Sequence, residues 1–137
     1  MSGAASSREI GFNLSPFIPG LSETVVVPPG ASLIHTSGHT AGLAAEVQTF
    51  ETQLDITFAT LDRALRNAGA SMKDVIRLTY YVTDLSSRSI DTLRTVRDRW
   101  VDTARPPASA LLGIEQLYHP DIYVEIDAIA AVVPREE

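Results

Sequence analysis

Between residues 47 and 68 apolar side chains return every three or four positions: Val47, Phe50, Leu54, Phe58, Leu61, Leu65 and Ala68. That is one stripe at helical period, and Gly69 follows where a C-terminal cap belongs. At ~1.5 Å per residue, a helix over residues 45–68 would extend about 36 Å, the width of a small domain, so it must lie across a sheet. VIRLTYYVT at 75–83 alternates instead. Ile76, Leu78, Tyr80 and Val82 fall on one face and Val75, Arg77, Thr79 and Tyr81 on the other, which predicts a strand. Ile90, Leu93, Val96 and Trp100 form a second helical stripe behind serines at 86, 87 and 89 that can act as N-caps, and Pro106 and Pro107 exclude helix beyond it. ASALLGI at 108–114 and IYVEIDAIAAVV at 122–133 predict two further strands joined by EQLYHPD.

Nearer the N-terminus, TVVV at 24–27 and ASLIHTSG at 31–38 flank the turn PPG and predict a hairpin. SPFIPG at 15–20 predicts an ordered loop pinned by Phe17 and Ile18. Residues 1–8 are small and polar without periodicity, and residues 1–14 are assigned to a partly flexible tail of a single domain spanning 1–137. Strands joined through helices imply parallel crossovers, and hairpins at both ends imply antiparallel pairs. The expected architecture is α+β: a mixed sheet with both helices on one face. The other face, with Val75, Tyr81, Leu111 and Ile129, then needs a cover, most simply a second copy of the chain.

A chain of 137 residues, 45% hydrophobic and 20% charged, has the composition of one globular domain. It contains no apolar run near the ~20 residues of a membrane span, and MSGAASSREIGF lacks the regions of a signal peptide, so the expected location is cytoplasmic with no membrane partner. The absence of cysteine excludes disulfides, thiolate nucleophiles and cysteine-zinc sites. A net charge of -6 argues against nucleic acid as a partner, because that affinity rests on neutralising phosphates. No phosphate-binding glycine motif, nucleophile elbow or dinucleotide fingerprint occurs, so no cofactor is expected. His35 and His119 have no partner at metal-ligand spacing, and no metal is expected either.

Several segments, in matching order, carry a resemblance: SPFIPG at 15–20, HTSGH at 35–39, AGASMKDVIRLTYYVTDL at 68–85, RPPASALLGI at 105–114 and VEIDAIA at 124–130. Together they resemble the Rid (YjgF-like) family over nearly all of the chain after about residue 14. The resemblance implies a chorismate-mutase-like α+β fold, a homotrimer, small-molecule pockets at subunit interfaces, and hydrolysis of reactive enamines and imines to ammonia and a keto acid. An imine carbon is already electrophilic, so such a site needs to hold the substrate, position water and move protons. One carboxyl group with backbone donors suffices for those tasks.

The resemblance places Glu125 in the water-orienting or proton-transfer role. Bare alternation puts it on one face with Tyr123, Asp127 and Ile129, where a solvated strand carboxylate is the competing reading. Gly38 matches a site glycine whose backbone approaches the ligand, although a strand-end turn also favours glycine. Ser37 could bond ligand or backbone. Phe17 stands where many members have tyrosine, which implies a more apolar pocket. His39 follows the glycine where glutamine is common, and it either titrates near neutrality or is a turn residue without chemistry. The family's carboxylate-gripping arginine on the strand after the second helix is missing. Its position falls on Ser109, or on Ala108 in the alternative register, and Arg105 is either a substitute or a solvated loop cation. The substrate-binding set is therefore Phe17, Ser37, Gly38, His39 and Ser109. The function expected is an enamine or imine hydrolase of altered scope, with a non-catalytic trimeric ligand-binding protein or a different specialised reaction as alternatives.

Overall fold

Thr49 opens the long helix. Its hydroxyl accepts a hydrogen bond from the Thr52 backbone N–H, and the helix α1 runs Phe50–Asn67. The computed structural model describes residues 8–43 and 48–134, so Val47 and the predicted start at residue 45 lie outside the described residues. An 18-residue helix is about 27 Å long, still enough to cross a sheet. Its stripe of Leu54, Phe58, Leu61 and Leu65 is fully buried, whereas Ala68, the last residue of the predicted stripe, is the exposed C-cap. Gly69 follows with a φ of 94°, in the left-handed region that glycine enters without strain.

The segment after it explains why AGASMKD has the residues it has. Ser71 caps a short turn over Met72–Asp74 by accepting from Lys73 N–H, while Asp74 reaches back to the Ser71 N–H at 2.9 Å. That turn delivers strand β4, Val75–Thr83, into the sheet. Ser89 caps the second helix, α2, Ile90–Trp100, which buries Leu93 and Val96. Phe58 joins the layers, stacking on Trp100 at 6.5 Å and meeting the Tyr80 ring edge-on at 6.2 Å.

The N-terminal pairing differs from the predicted hairpin. The strand after TVVV does not fold back on it; β2, Ser22–Val26, pairs antiparallel with β1, Gly11–Leu14, and the two form a separate sheet. Residues 11–14, assigned to the tail, are thus a strand. β3, Ser32–His35, belongs to a four-stranded sheet with β4, β5 (Ala108–Ile114) and β6 (Val124–Val132), in the order β3-β6-β4-β5. β4 and β5 are parallel and the other pairs antiparallel, so the C-terminal hairpin is also absent: β6 inserts between β3 and β4. The physical reason lies in VEIDAIAAV, whose Val124, Ile126, Ala128 and Ala130 are buried, as is Ala131, and whose Glu125, Asp127 and Ile129 are half-buried. A strand with so little exposed surface takes the centre, and sequence neighbours yield to it. Both helices lie over one face of this mixed sheet, as expected for the α+β class.

Membership of the open face is corrected at two positions. A bulge between Val75 and Arg77 turns Val75 into the core, where it is 1% exposed. Leu111 is in register with core-facing Tyr80, and its neighbour Leu112 pairs with Tyr81 on the open side. The open face therefore carries Arg77, Thr79 and Tyr81 on β4, Glu125, Asp127 and Ile129 on β6, and Leu112 on β5.

Candidate functional site

The chain extends β3 past its end through a bulge. Thr36 N–H donates to the Ala128 carbonyl at 2.9 Å, and His39 and Ile126 exchange backbone bonds at 2.8 and 3.0 Å. Three steps from Thr36 to His39 thus face two from Ala128 to Ile126, and the extra residue lifts Ser37–Gly38 over β6. Thr36 fixes this arrangement with its hydroxyl, which donates to the Ser37 carbonyl at 2.8 Å and accepts from Ala128 N–H at 3.0 Å. The Ser37 carbonyl also receives His39 Nδ1 at 2.9 Å, and because a carbonyl only accepts, Nδ1 carries the proton and Nε2 is left to face solvent or ligand.

Beneath the bulge lies Glu125. A Cβ built on Gly38 would stand 2.6 Å from the Glu125 Cδ and 2.9 Å from its Cγ, so only glycine lets this backbone approach the carboxylate. Glu125 makes no hydrogen bond or ion pair with any described residue. The structure therefore brings together Glu125, Gly38, Ser37 and His39.

Phe17 and Ser109 lie elsewhere. Ser15 organises the SPFIPG loop by accepting from Phe17 and Ile18 N–H at 3.2 and 2.9 Å, and Ser15 N–H donates to the Leu21 carbonyl at 3.0 Å. The predicted apolar pins are absent: Phe17 is 88% exposed and Ile18 48%. The loop is tied to β5 through Ser22, which bonds the Pro106 and Pro107 carbonyls. Between them opens a cavity of about 330 Å³ lined by Phe17, Ile18, Leu21, Arg77 and Ser109 among others. Ser109 is in register with Leu78 and Glu125 with Tyr81, three residues further along and one strand beyond β4. At ~3.3 Å per residue and ~4.8 Å per strand, the two positions are roughly 14 Å apart, on opposite faces of the sheet. Within one chain, Phe17 and Ser109 thus do not meet the group of Glu125, Gly38, Ser37 and His39.

The protein-family comparison agrees with this architecture. A family model described as Endoribonuclease L-PSP matches residues 21–132. The chain belongs to that family, the Rid or YjgF group. Its fold is shared by a Rid-family protein of unknown function, YyfB of Yersinia pestis, which is 26% identical, aligns over 88% of this chain and 96% of its own, and has a TM-score of 0.68. A YjgF-family protein from Neisseria meningitidis is 27% identical over 95% of this chain and 98% of its own, with a TM-score of 0.65. A search of curated proteins gives no match.

In this Rid-family chain the structure adds residues that the sequence left among ordinary strand positions. Tyr81 donates its hydroxyl to Asp127 Oδ2 at 3.1 Å, beside Glu125, and that hydrogen bond raises the Tyr81 pKa above its ordinary value. The signal was available: alternation put Tyr81 and Asp127 on the open face, and a polar pair on an otherwise apolar strand is the clue. Arg105 lies apart from Ser109. Its guanidinium lies 4.8 Å over the Phe12 ring and donates to the Ile10 carbonyl, in a cavity separate from that of Ser109. His119 accepts from Asp121 N–H in its own loop. Among the described residues no group of three potential metal ligands occurs, and no helix is long and apolar enough to cross a membrane.

Proposed function

We propose that this Rid-family chain is a hydrolase of enamine or imine intermediates, acting in a pocket that a neighbouring copy completes in a homotrimer. The observation that carries the proposal is the Glu125 carboxylate, unpaired among the described residues and roofed by the Gly38 backbone. A carboxylate held in place but not engaged is equipped to bind water and exchange a proton with it.

The chemistry balances with water alone. As Glu125 accepts a proton from water, the C–O bond forms and the C=N pair moves to nitrogen, which takes up a proton. The carbinolamine then expels ammonia while its oxygen loses a proton and becomes the carbonyl. His39, through Nε2, is placed on the same bulge to hydrogen-bond the nitrogen or oxygen that changes charge. The assembly is supported by the separation of Phe17 and Ser109 from the Glu125 group, which another subunit can bridge, and by the exposure of Phe17, Leu33 and Leu112.

The family model's description also names a ribonuclease. A net charge of -6 and the carboxylates of Glu125 and Asp127 on the open face disfavour a phosphate backbone there. The test is ammonia release from freshly generated imines, together with the solution mass of the protein. Accelerated release by a particle of three chains supports the proposal. A trimer that accelerates none of the imines overturns it in favour of a non-catalytic ligand-binding protein.

A further inference from the structure

We propose that the cavity where the chain enters β4 and β5 is a second binding site, remote from Glu125, for a free α-amino acid with an apolar side chain. In the parallel pair of these strands Arg77 stands beside Ala108, and three residues earlier in each segment lie Asp74 and Arg105. Both line a cavity of about 300 Å³ whose apolar surface comes from Ile10 and from Ala131, Val132 and Val133 at the end of β6. The path along β6 from Glu125 to Ala131 is about 20 Å at ~3.3 Å per residue, so this cavity is no part of the site proposed above.

The two charges are held by the fold and not by each other. Asp74 is fixed as one half of a capping box: its Oδ2 accepts from the Ser71 N–H at 2.9 Å, and its Oδ1 has no partner among the described residues. Arg105 is fixed by stacking, with its guanidinium carbon 4.8 Å from the Phe12 ring centre, and by one bond from Nη2 to the Ile10 carbonyl at 3.4 Å. Its Nε and Nη1 have no partner among the described residues, and no ion pair joins it to Asp74. Opposite charges that line one cavity without neutralising each other are complementary to a ligand that carries both. An α-amino acid does so in the smallest compass. Its carboxylate meets the guanidinium, its ammonium meets Asp74 Oδ1, and an apolar side chain covers Ile10, Val132 and Val133. Arg8 and Glu9 also line the cavity; they are exposed, each is already engaged, and their charges cancel. The volume lies at the lower end of small-molecule sites, which fits a ligand of this size.

Calorimetric titration of the full chain with L-leucine, 4-methylpentanoate, L-leucinamide and glycine tests this. Leucine has both charges and the apolar group, and each of the others lacks one of the three. The native protein should bind leucine about 10-fold or more tightly than any of them. Arg105→Gln should weaken leucine about 10- to 100-fold and leave leucinamide unchanged. Asp74→Asn, which keeps a carbonyl oxygen for the cap, should weaken leucine and leave 4-methylpentanoate unchanged. Glu125→Gln should bind leucine as the native protein does. Absence of leucine binding, equal affinity for leucine and 4-methylpentanoate, loss of binding in Glu125→Gln, or native affinity in both cavity variants would overturn the proposal. The selectivity series needs only the native protein, so it decides the matter even where a variant fails to fold.

Discussion

Gly38 and Glu125 are in such close approach that no side chain fits between the lifted backbone of the β3 extension and the carboxylate. Gly38→Ala should push Glu125 aside while leaving the fold intact, since Gly38 is exposed and the obstructing atoms belong to a side chain that can turn. Ammonia release should fall about 100-fold, as expected for a displaced catalytic group, with the denaturation midpoint nearly unchanged. Wild-type rates in this variant would show that the glycine serves only the bulge.

Tyr81 predicts an alkaline limit. The bond to Asp127, an acceptor for the protonated phenol, raises its pKa above the ordinary value of 10.0, so the folded state holds this proton more tightly than the unfolded chain. The resulting stability is complete below the unfolded pKa of about 10 and is lost as pH rises through the higher folded value. Urea midpoints followed from neutral pH to about pH 11 should therefore decline less steeply above about pH 10 in Tyr81→Phe than in the native protein.

Tyr80 is the opposite case. Its hydroxyl is buried with no partner, and burial raises its pKa strongly although Arg97 opposes the shift. An unsatisfied buried hydroxyl costs about 1–3 kcal/mol, so Tyr80→Phe should stabilise the protein by an amount of that order while keeping the ring packed on Phe58. Chemical denaturation measures it, and a loss of stability would mean that the hydroxyl is bonded in solution.

Gln53 predicts a large effect from a neutral residue. This fully buried side chain on α1 donates to the Asp121 carbonyl and accepts from Tyr123 N–H, both at 2.8 Å, and so sets the loop that enters β6. Gln53→Ala strands both backbone groups and should cost about 2–4 kcal/mol. Hydrogen exchange should accelerate at Tyr123 before it does in the rest of β6.

The elements that were legible in the sequence are those that a single periodicity governs. The stripes Leu54–Leu65 and Leu93–Val96 and the alternation of VEIDAIA locate the helices and the central strand, and the alternation also puts Glu125 on the open face. Pairing was not legible, because β6 claims the centre through burial on both faces, a property of the assembled sheet rather than of the neighbouring TVVV and ASLIH segments. Their apolar character predicts Phe17 and Ile18 as pins, yet Ser15 shapes their loop. The Gly38 approach depends on two bonding partners some ninety positions away in sequence.

The most direct measurement of the central claim is the turnover number for ammonia release from freshly generated 2-imino acids by the native protein and by Glu125→Gln. The amide keeps the shape and loses the ability to take a proton. The account predicts a fall of about 10²- to 10⁴-fold in kcat, with the mass of the assembly unchanged. Equal turnover by the two proteins would contradict it and remove Glu125 from the chemistry.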